Sequence, residues 1–573
     1  MLLLATVISL GARAQSYSFE DVTINNLEPM LLKGETTNIL YILTYYHDYW
    51  GGPWNLKNSD YTVDITINND PDFSVVNNND ELTITLKKTY VLKTCTLTFN
   101  AKEGGEYYGS KKIVLSFVRF DGTSPYIISS KNDLSLLAEC VNAGITFEDE
   151  SFKLGTDLTY NGQENNYTPI GGYYNNETKY FRGTFDGDGH TISGVNINGY
   201  SDVGIFGRLG SPAEVKNLTL SRAEITGTEN IGGIVGINSG GNITNCHVTS
   251  STIKTGTGTN IFHGGIVGKN STNSFVRYCT CSATTITQCN EYNGAIVGKN
   301  DGTLNNNYYT GSNIGGCNGA DVASNDGAIK VDNILTDAET VPSSLNGTVV
   351  FIRSFAGGKN STIVLPFAHT PNDKDDYYTL SKVEKNTETG FWEATMKKVT
   401  TSPLNANKPY LFVHNTATEY VAFKGTAAYD ASSLDDTTEG GWTFKGTYEE
   451  ITWGAINDGK PRNVYGYAAQ AKAADNISQG EFVKVGEYVR IRPLRCYLEY
   501  NKAPTRGLLP EEELPETIRV ILGDKTDIGS ISTKTGIITF DSDAWYSLDG
   551  KRFSTLPAQK GIYVNNGKKV VIK

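Results

Sequence analysis

Gly204-Ile-Phe-Gly207, Gly233-Ile-Val-Gly236, Gly265-Ile-Val-Gly268 and Ala295-Ile-Val-Gly298 are four copies of one block in the middle of this chain. Their last glycines are 29, 32 and 30 residues apart. Short runs of alternating apolar residues separate the blocks, for example Asn242-ITNCHV and Ser274-FVRYCTC. A period near 30 with little helical pattern predicts a β-solenoid whose coils stack as parallel strands. Ala295 replaces the first glycine of the last block, which is tolerated if the position requires smallness rather than positive φ.

One small or apolar residue of each coil should form an inward row. Cys246, Cys279 and Tyr308 lie ten, eleven and ten residues after the last glycines of their blocks. We therefore expect them to stack about 4.8 Å apart. With a first coil that begins at Tyr180, the repeats predict about five coils and a rod of roughly 25 Å.

A glycine-rich block followed by an Asn-Cys-x-Val strand resembles the GLUG-repeat β-helices of secreted bacterial proteins. Gly183-TFDGDGHTISG and Tyr126-IISSKNDLSLLAECVNAG are similar to the first coil and the cap of that family. The resemblance covers about 200 residues and implies a right-handed parallel β-helix. In the cap, the spacing of the apolar residues predicts one short helix that begins at Ser130 or Asp133 and stops at Gly144.

The remaining chain divides into segments rich in short strands and Asn/Asp turns. We predict an all-β protein whose central right-handed parallel β-helix (β-solenoid) is flanked by β-sandwich-like domains. The expected segments are a signal peptide (1–14), an immunoglobulin-like sandwich (15–122), the β-helix with its helical cap (123–335), a β-rich sandwich-like domain (336–508), a Pro/Glu linker (509–526) and a small C-terminal β module (527–573).

The last two domains also carry resemblances. Ser361-TIVLPF, Lys408-PYLFV and Gly480-EFVKV are similar to a β-rich domain that follows repeat regions in Bacteroidales surface proteins. Tyr546-SLDGKRF and Gly561-IYVNNGKKVVIK read as two hairpins, and they resemble the C-terminal module of Bacteroidetes surface proteins. In some of those lineages the module is a sorting signal, which makes a sorting or anchoring role an expectation here.

Composition and the first residues bear on location. The run Met1-LLLATVISLGARA ends in an Ala-x-Ala cleavage pattern and is too short to span a membrane, so we expect cleavage near Gln15 and a secreted or outer-surface protein. No Cys lies directly after that site, so we expect no lipid anchor there, and no later segment predicts a transmembrane span. A net charge of −12 argues against nucleic acid. Eight cysteines spread over 573 residues indicate buried thiols rather than a disulfide framework.

An aromatic cluster in the first domain is the best candidate binding site. Flat rings stack on sugar faces, and polar neighbours bond hydroxyl groups, so the cluster predicts glycan binding. The alternative is a sandwich core beside a Gly-Pro turn. The candidate residues are Tyr46, His47, Asp48, Tyr49, Trp50 and Trp54.

Catalytic and metal chemistry have weaker support. Between Ile231 and Ala320 the only acidic residues are Glu291 and Asp301, whereas glycoside hydrolysis needs paired carboxylates. Asp186-GDGH begins like a calcium loop but lacks its later ligands, so we interpret it as a turn. Cys279 and Cys281 with Cys289 and His247 lack zinc spacing and fit a core lined with thiols. We therefore predict no cofactor and no metal.

These observations favour a secreted or surface adhesin-like binding or scaffold protein, with polysaccharide, mucin or host glycoprotein as candidate partners. A stacked edge of Lys269 and Lys299 is a second candidate surface, with a solvated corner as its alternative. The rival hypothesis is a lyase or hydrolase that acts on polysaccharide along the β-helix.

Overall fold

The computed structural model shows an almost entirely β protein with two compact units, Met1–Lys330 and Val331–Lys573. The longer segments that it describes are residues 61–67, 70–78, 81–87, 92–102, 110–119, 124–174, 176–199, 201–256, 262–287, 292–314, 328–337, 339–355, 360–387, 389–415, 420–430, 434–454, 463–471, 477–501 and 514–523. Short described segments are 17–18, 30–32, 36–40, 44–45, 54–55, 107–108, 530–531, 538–539, 545–547, 552–553, 560–565 and 568–572.

Two sheets form a sandwich at the start of the first unit. In Glu81–Leu86 every second side chain is buried, as period-2 alternation requires. Leu82 and Ile84 of one sheet share a core with Leu97 and Phe99 of the other. The four-stranded sheet contains Met30–Leu32, Ser110–Arg119, Leu92–Ala101 and Tyr61–Ile67, and the three-stranded sheet contains Thr36–Leu40, Glu81–Leu86 and Phe73–Asn77. Tyr17–Ser18 pairs with Tyr107–Tyr108, and Thr44–Tyr45 pairs with Trp54–Asn55.

The parallel β-solenoid predicted from the repeats is confirmed. Each coil contributes short strands to stacked parallel sheets, which we number in the order in which a coil visits them. Sheet 1 contains Tyr126–Ile128, Ser151–Leu154, Thr184–Asp186, Glu214–Lys216, Asn242–Thr244, Phe275–Arg277 and Thr303–Asn305. Sheet 2 contains Leu158–Thr159, Thr191–Ser193, Thr219–Ser221, His247–Thr249, Thr280–Ser282, Tyr308–Thr310 and Ile329–Lys330.

Three further sheets close each coil. Sheet 3 contains Asn196–Asn198, Glu224–Gly227, Thr252–Thr255, Thr285–Ile286 and Asn313–Ile314. Sheet 4 contains Asn230–Gly232, Phe262–Gly264 and Tyr292–Gly294, and sheet 5 contains Phe206–Gly210, Val235–Ser239, Val267–Asn270 and Val297–Asn300. Sheet 1 has seven strands where we expected five, because Tyr126–Ile128 and Ser151–Leu154 precede the predicted first coil.

Four successive coils place the middle residue of a three-residue strand inside the solenoid. In sheet 1 this row runs through Phe185, Val215, Ile243 and Val276, all fully buried. Between sheets 1 and 2 the chain turns through a left-handed residue in successive coils, which favours Asn. Those residues are Asn217 (φ 54°), Asn245 (52°), Tyr278 (55°) and Asn306 (53°).

The predicted row of Cys246, Cys279 and Tyr308 is correct for the two cysteines and wrong for the tyrosine. His247 pairs with Thr280 and Thr280 pairs with Tyr308, so the residue beside Cys279 is Asn307, whose Oδ1 accepts a hydrogen bond from the Cys279 amide at 3.0 Å. Cys246 and Cys279 are both fully buried. The six cysteines that the structure describes are all buried free thiols, as expected, whereas Cys289 and Cys317 lie outside the described residues.

Helix α1, Lys131–Ala143, caps the solenoid after its first strand. Ser130 is the N-cap, and Asp133 completes a capping box by accepting from the Ser130 amide at 2.9 Å. Gly144 ends the helix in the left-handed conformation at φ 116°. The hairpin Gly172–Tyr174 and Glu177–Lys179 extends from the next coil.

The second unit contains one ten-stranded sheet that curls until its first edge strand contacts its eighth strand. The Val364 amide of the first edge strand donates to the Leu494 carbonyl at 3.3 Å, and Thr362 bonds to the Cys496 backbone. The strand order of the ten-stranded sheet is Ser361–Val364, Pro409–His414, Asp375–Lys385, Trp392–Lys398, Thr517–Leu522, Glu481–Lys484, Val464–Tyr467, Arg495–Tyr500, Trp442–Thr447 and Thr437–Glu439.

Smaller sheets complete this unit. Asn333–Leu335, Ser344–Ser354 and Tyr420–Asp430 form one, and Ile451–Thr452 pairs with Arg490–Ile491. Ser530–Ile531 pairs with Ile538–Thr539. At the C-terminus a four-stranded sheet has the order Arg552–Phe553, Trp545–Ser547, Gly561–Asn565 and Lys568–Ile572.

Candidate functional site

Most of the predicted aromatic site lies outside the described residues, namely Tyr46, His47, Asp48, Tyr49 and Trp50. Trp54 begins a two-residue strand and pairs with Tyr45. The glycan-binding role of this cluster stays a prediction.

The outer surface of sheet 1 carries a candidate site that the sequence reasoning missed. In Phe275–Arg277 the middle residue Val276 is buried, so Phe275 and Arg277 point outward. The Phe275 ring is 39% exposed, and the Arg277 guanidinium lies over it, 5.5 Å from the ring centroid. The alternation of Phe, Val and Arg in a strand of known register was the signal that could have revealed this exposed aromatic residue.

Polar side chains surround Phe275 on the neighbouring rungs. Phe275 pairs with Asn242 in the coil before it and with Thr303 in the coil after it. Arg277 donates to Asn242 Oδ1 at 3.4 Å. One coil further back, Lys216 pairs with Glu214 at 3.1 Å. One exposed ring therefore lies between the amide group of the rung before it and the hydroxyl group of the rung after it, with rungs about 4.8 Å apart.

The second predicted surface is present as a stacked pair. Lys269 and Lys299 are register partners in sheet 5, and both are half-buried. The Lys299 ammonium lies 5.2 Å from the centroid of the Phe262 ring, a cation–π distance. Neither lysine forms an ion pair with a residue that the structure describes. The pair therefore forms a small cationic edge.

Two histidines of the solenoid, His263 and His247, are structural. His263 is fully buried, and burial lowers its pKa to about 4. Its Nδ1 lies 3.1 Å from the Thr287 carbonyl oxygen, which can only accept, so Nδ1 carries the proton. Nε2 lies 3.1 Å from Thr255 Oγ1 and accepts from that hydroxyl. Burial likewise lowers the pKa of His247 to about 4.

Burial makes three of the described thiols poor nucleophiles. Burial raises the pKa of Cys95 to about 11 and that of Cys140 to about 12, and it raises the pKa of Cys246 well above its usual value. These residues pack as small apolar side chains. Among the described residues, no group of three or more His, Cys, Asp or Glu side chains lies close enough together to hold a metal ion.

Carboxylates of the solenoid are engaged by their neighbours. Asp186 accepts from the Asp188 amide and from Asn217 Nδ2, each at 2.9 Å. Asp188 (φ 51°) and Gly189 (φ 80°) form the turn expected for this stretch. Asp202 pairs with Arg208, and Glu224 pairs with Lys254. Of the two acidic residues between 231 and 320, Asp301 is exposed and Glu291 lies outside the described residues.

Comparison with known proteins bears on the repeats. Residues 227–254, which make one turn of the solenoid from sheet 3 to sheet 3, match the GLUG motif. This chain carries GLUG repeats on a parallel β-solenoid. A stretch of 213 residues is also 30% identical to halomucin from Haloquadratum walsbyi (strain DSM 16790 / HBSQ001). The alignment covers 34% of this chain and 2% of halomucin.

No solved structure is significantly similar to the GLUG-repeat chain. Among the described residues, no helix has both the length and the apolar character that crossing a membrane requires.

Proposed function

We propose that this protein is a secreted or cell-surface adhesin-like binding protein whose GLUG solenoid presents sheet 1 to an extended glycan. The observation that carries the proposal is the exposed Phe275 ring held beside Arg277 on a face of seven stacked strands. A rigid row of outward side chains suits a polymer, because successive rungs meet successive parts of the chain.

The chemistry of the site fits sugars. An aromatic ring packs against the C–H face of a pyranose, and a stacked ring contributes about 0.5–1.5 kcal/mol beyond the area that it buries. The Asn242 and Thr303 side chains on either side of Phe275 supply amide and hydroxyl groups for sugar hydroxyls. The guanidinium of Arg277 adds charge, which favours an acidic glycan over a neutral one.

Two other features support the proposal. The apolar N-terminal run with its Ala-x-Ala pattern predicts export, and the GLUG match and the similarity to halomucin accord with a repeat protein of this kind. Asp186, Asp202 and Glu224 are each engaged by a neighbouring amide or basic side chain, which favours binding over hydrolysis.

The test is a glycan and mucin array probed with the purified protein and with Phe275→Ala. We expect the variant to bind acidic glycans at least fivefold more weakly with an unchanged melting temperature. Tyr173→Ala is the matched control, because Tyr173 is a 52% exposed aromatic residue of the same unit outside sheet 1. Equal loss in both variants, or no loss in Phe275→Ala, would contradict the assignment of sheet 1.

The aromatic cluster of the first domain needs its own variant. If Trp50 and Trp54 stack on sugars, the double change to Ala should weaken binding on the same array at least fivefold. The melting temperature should change little. Unchanged binding by a folded double variant would remove this cluster from the proposal and leave sheet 1 as the binding face.

A further inference from the structure

A cavity of about 470 Å³, open to solvent, lies on the curled sheet of the second unit. Val485 and Ile491 are among the apolar residues that line it. Its polar lining includes Ser361, Lys484, Arg490, Arg492 and Arg495. A chain with a net charge of −12 thus places three arginines within one short stretch at one cavity.

A fourth arginine lies behind the cavity wall. Arg353 is only 4% exposed, and its guanidinium donates to the Thr362 carbonyl at 2.7 Å and to Ser361 Oγ. Its Nε has no hydrogen-bond partner among the described residues, and no described carboxylate forms an ion pair with it. A buried guanidinium without a counter-charge is costly, so an anion nearby would be strongly stabilised.

Ser361 lines the cavity and is hydrogen-bonded to the Arg353 guanidinium. Its Oγ accepts hydrogen bonds from both Arg353 and Arg495, the latter at 3.3 Å. Because both lone pairs of the hydroxyl are then used, its own O–H can act only as a donor. A hydroxyl polarised by two guanidinium groups donates well to an anionic oxygen.

Two other arginines of the cavity differ in their exposure to solvent. The Arg495 side chain is 26% exposed, whereas that of Arg492 is 51% exposed. Both pair with one carboxylate, Asp337, and Arg492 does so at 3.7 Å. Asp337 therefore competes for the donors that an incoming anion would use.

We infer that this cavity binds a small organic carboxylate, with the acid group at Ser361, Arg495 and Arg492 and the apolar part against Val485 and Ile491. Guanidinium groups match the planar, bidentate geometry of a carboxylate. The aliphatic wall favours a ligand with an apolar body over inorganic phosphate or a free uronic acid, whose hydroxyls would lose water without new partners. The inference is independent of sheet 1.

The experiment is calorimetric titration of the purified full chain with sodium octanoate. N-acetylphenylalanine is a second carboxylate, so the two distinguish an acyl chain from a peptide terminus as the source. Acetate, glucuronate, inorganic phosphate and octanol are the comparison probes. We expect saturable 1:1 binding of at least one of the two amphipathic carboxylates, at least tenfold tighter than any comparison probe. No saturable binding of either, or equal binding of octanol, would overturn the inference.

Two variants make the assignment sharper because they should act in opposite directions. Arg492→Gln removes a donor at the rim and should weaken carboxylate binding at least fivefold. Asp337→Asn releases two guanidinium groups from their carboxylate and should tighten it at least threefold. Arg519→Gln is the matched control, since Arg519 lies over Phe391 in the same unit and does not line the cavity. Changes of the same sign in both variants would contradict the proposed geometry.

Discussion

Gly265 lies where the backbones of two neighbouring coils meet. A Cβ at this position would stand 2.0 Å from the Ala295 carbonyl oxygen and 2.6 Å from Cys281 Sγ. The carbonyl belongs to the next coil's backbone and has little freedom to shift, so a methyl group must push two coils apart. We expect Gly265→Ala to lower the free energy of unfolding by about 3 kcal/mol or more, measured by urea denaturation.

Ala295 provides the control, because it occupies the same position of the last block. None of the first residues of the four blocks has positive φ, so the requirement is for smallness, as the sequence suggested. Sheets 4 and 5 end with the coil of Ala295 in the described chain, and no further block stacks on it. Ala295→Gly should therefore cost only about 1 kcal/mol. Equal effects of the two changes would refute the close-approach explanation.

His263 makes the solenoid sensitive to acid. Burial lowers its folded-state pKa to about 4, below the usual value of 6.5, so the unfolded chain binds this proton first as pH falls. The contribution of the neutral ring to stability is complete above pH 6.5 and is lost between pH 6.5 and about 4. There the free energy of unfolding should fall by about 1.4 kcal/mol per pH unit for this residue. Denaturation curves at several pH values measure the slope.

His263→Asn isolates this contribution. In the next coil Asn293 is the register partner of His263, and its Nδ2 donates to the same Thr287 carbonyl at 3.1 Å. Asparagine is thus compatible with this rung and does not titrate. The variant should keep the acid sensitivity contributed by His247 and lose that of His263. An unchanged slope would show that His263 is not buried in its neutral form.

Between strands, an asparagine ladder joins three coils at the end of sheet 5. Asn238 Nδ2 donates to Asn270 Oδ1 at 3.0 Å, and Asn270 Nδ2 donates to Asn300 Oδ1 at 2.8 Å. Asn270 is fully buried, so its amide group has no water to replace these bonds. We expect Asn270→Ala to lower the free energy of unfolding by about 1–3 kcal/mol, again by urea denaturation.

An exposed asparagine of the same solenoid serves as the reference for that ladder. Asn313 begins the last strand of sheet 3, and its side chain is exposed. Asn313→Ala should change the free energy of unfolding by less than about 0.5 kcal/mol. A comparable loss at Asn313 would mean that the effect reflects strand propensity rather than the buried ladder.

The repeats predict how the coils stack, but they do not predict every side chain on a rung. The glycine blocks stack in register, so their period was enough for the solenoid and for Lys269 beside Lys299. The predicted neighbour of Cys279 was wrong by one position, because the turn between sheets 5 and 1 varies in length. The residue beside Cys279 is Asn307. From the ladder asparagine to the first residue of the next sheet 1 strand, the chain advances from 238 to 242, from 270 to 275 and from 300 to 303. Counting from a glycine therefore misplaces side chains beyond that turn.

The net charge of the whole molecule is a sum over many residues and conceals local clusters of one sign. The net charge of −12 argues against nucleic acid as a partner. The second unit nevertheless holds Arg353 without a carboxylate partner among the described residues. Arg353 comes from one strand and Arg495 from another, and Ser361 joins them only because the ten-stranded sheet curls. Such a site depends on the contact between distant segments, which single-sequence patterns do not record.

We expect the full chain to release no products from polysaccharides. Glycoside hydrolysis requires two carboxyl groups about 5–10 Å apart that face one substrate bond. In the described coils Asp202 and Glu224 each form an ion pair with a nearby basic side chain, and Asp186 accepts a hydrogen bond from Asn217. Incubation with pectin, alginate and mucin glycans, followed by assays for reducing and unsaturated ends, should give the level of a boiled sample, while a known lyase serves as positive control. Because sheet 1 should still bind an acidic glycan in the same buffer, retained binding without turnover separates a binding protein from an inactive preparation. Reproducible product release would instead favour the enzyme hypothesis, and Asp301→Asn would then test the exposed carboxylate of the last coil.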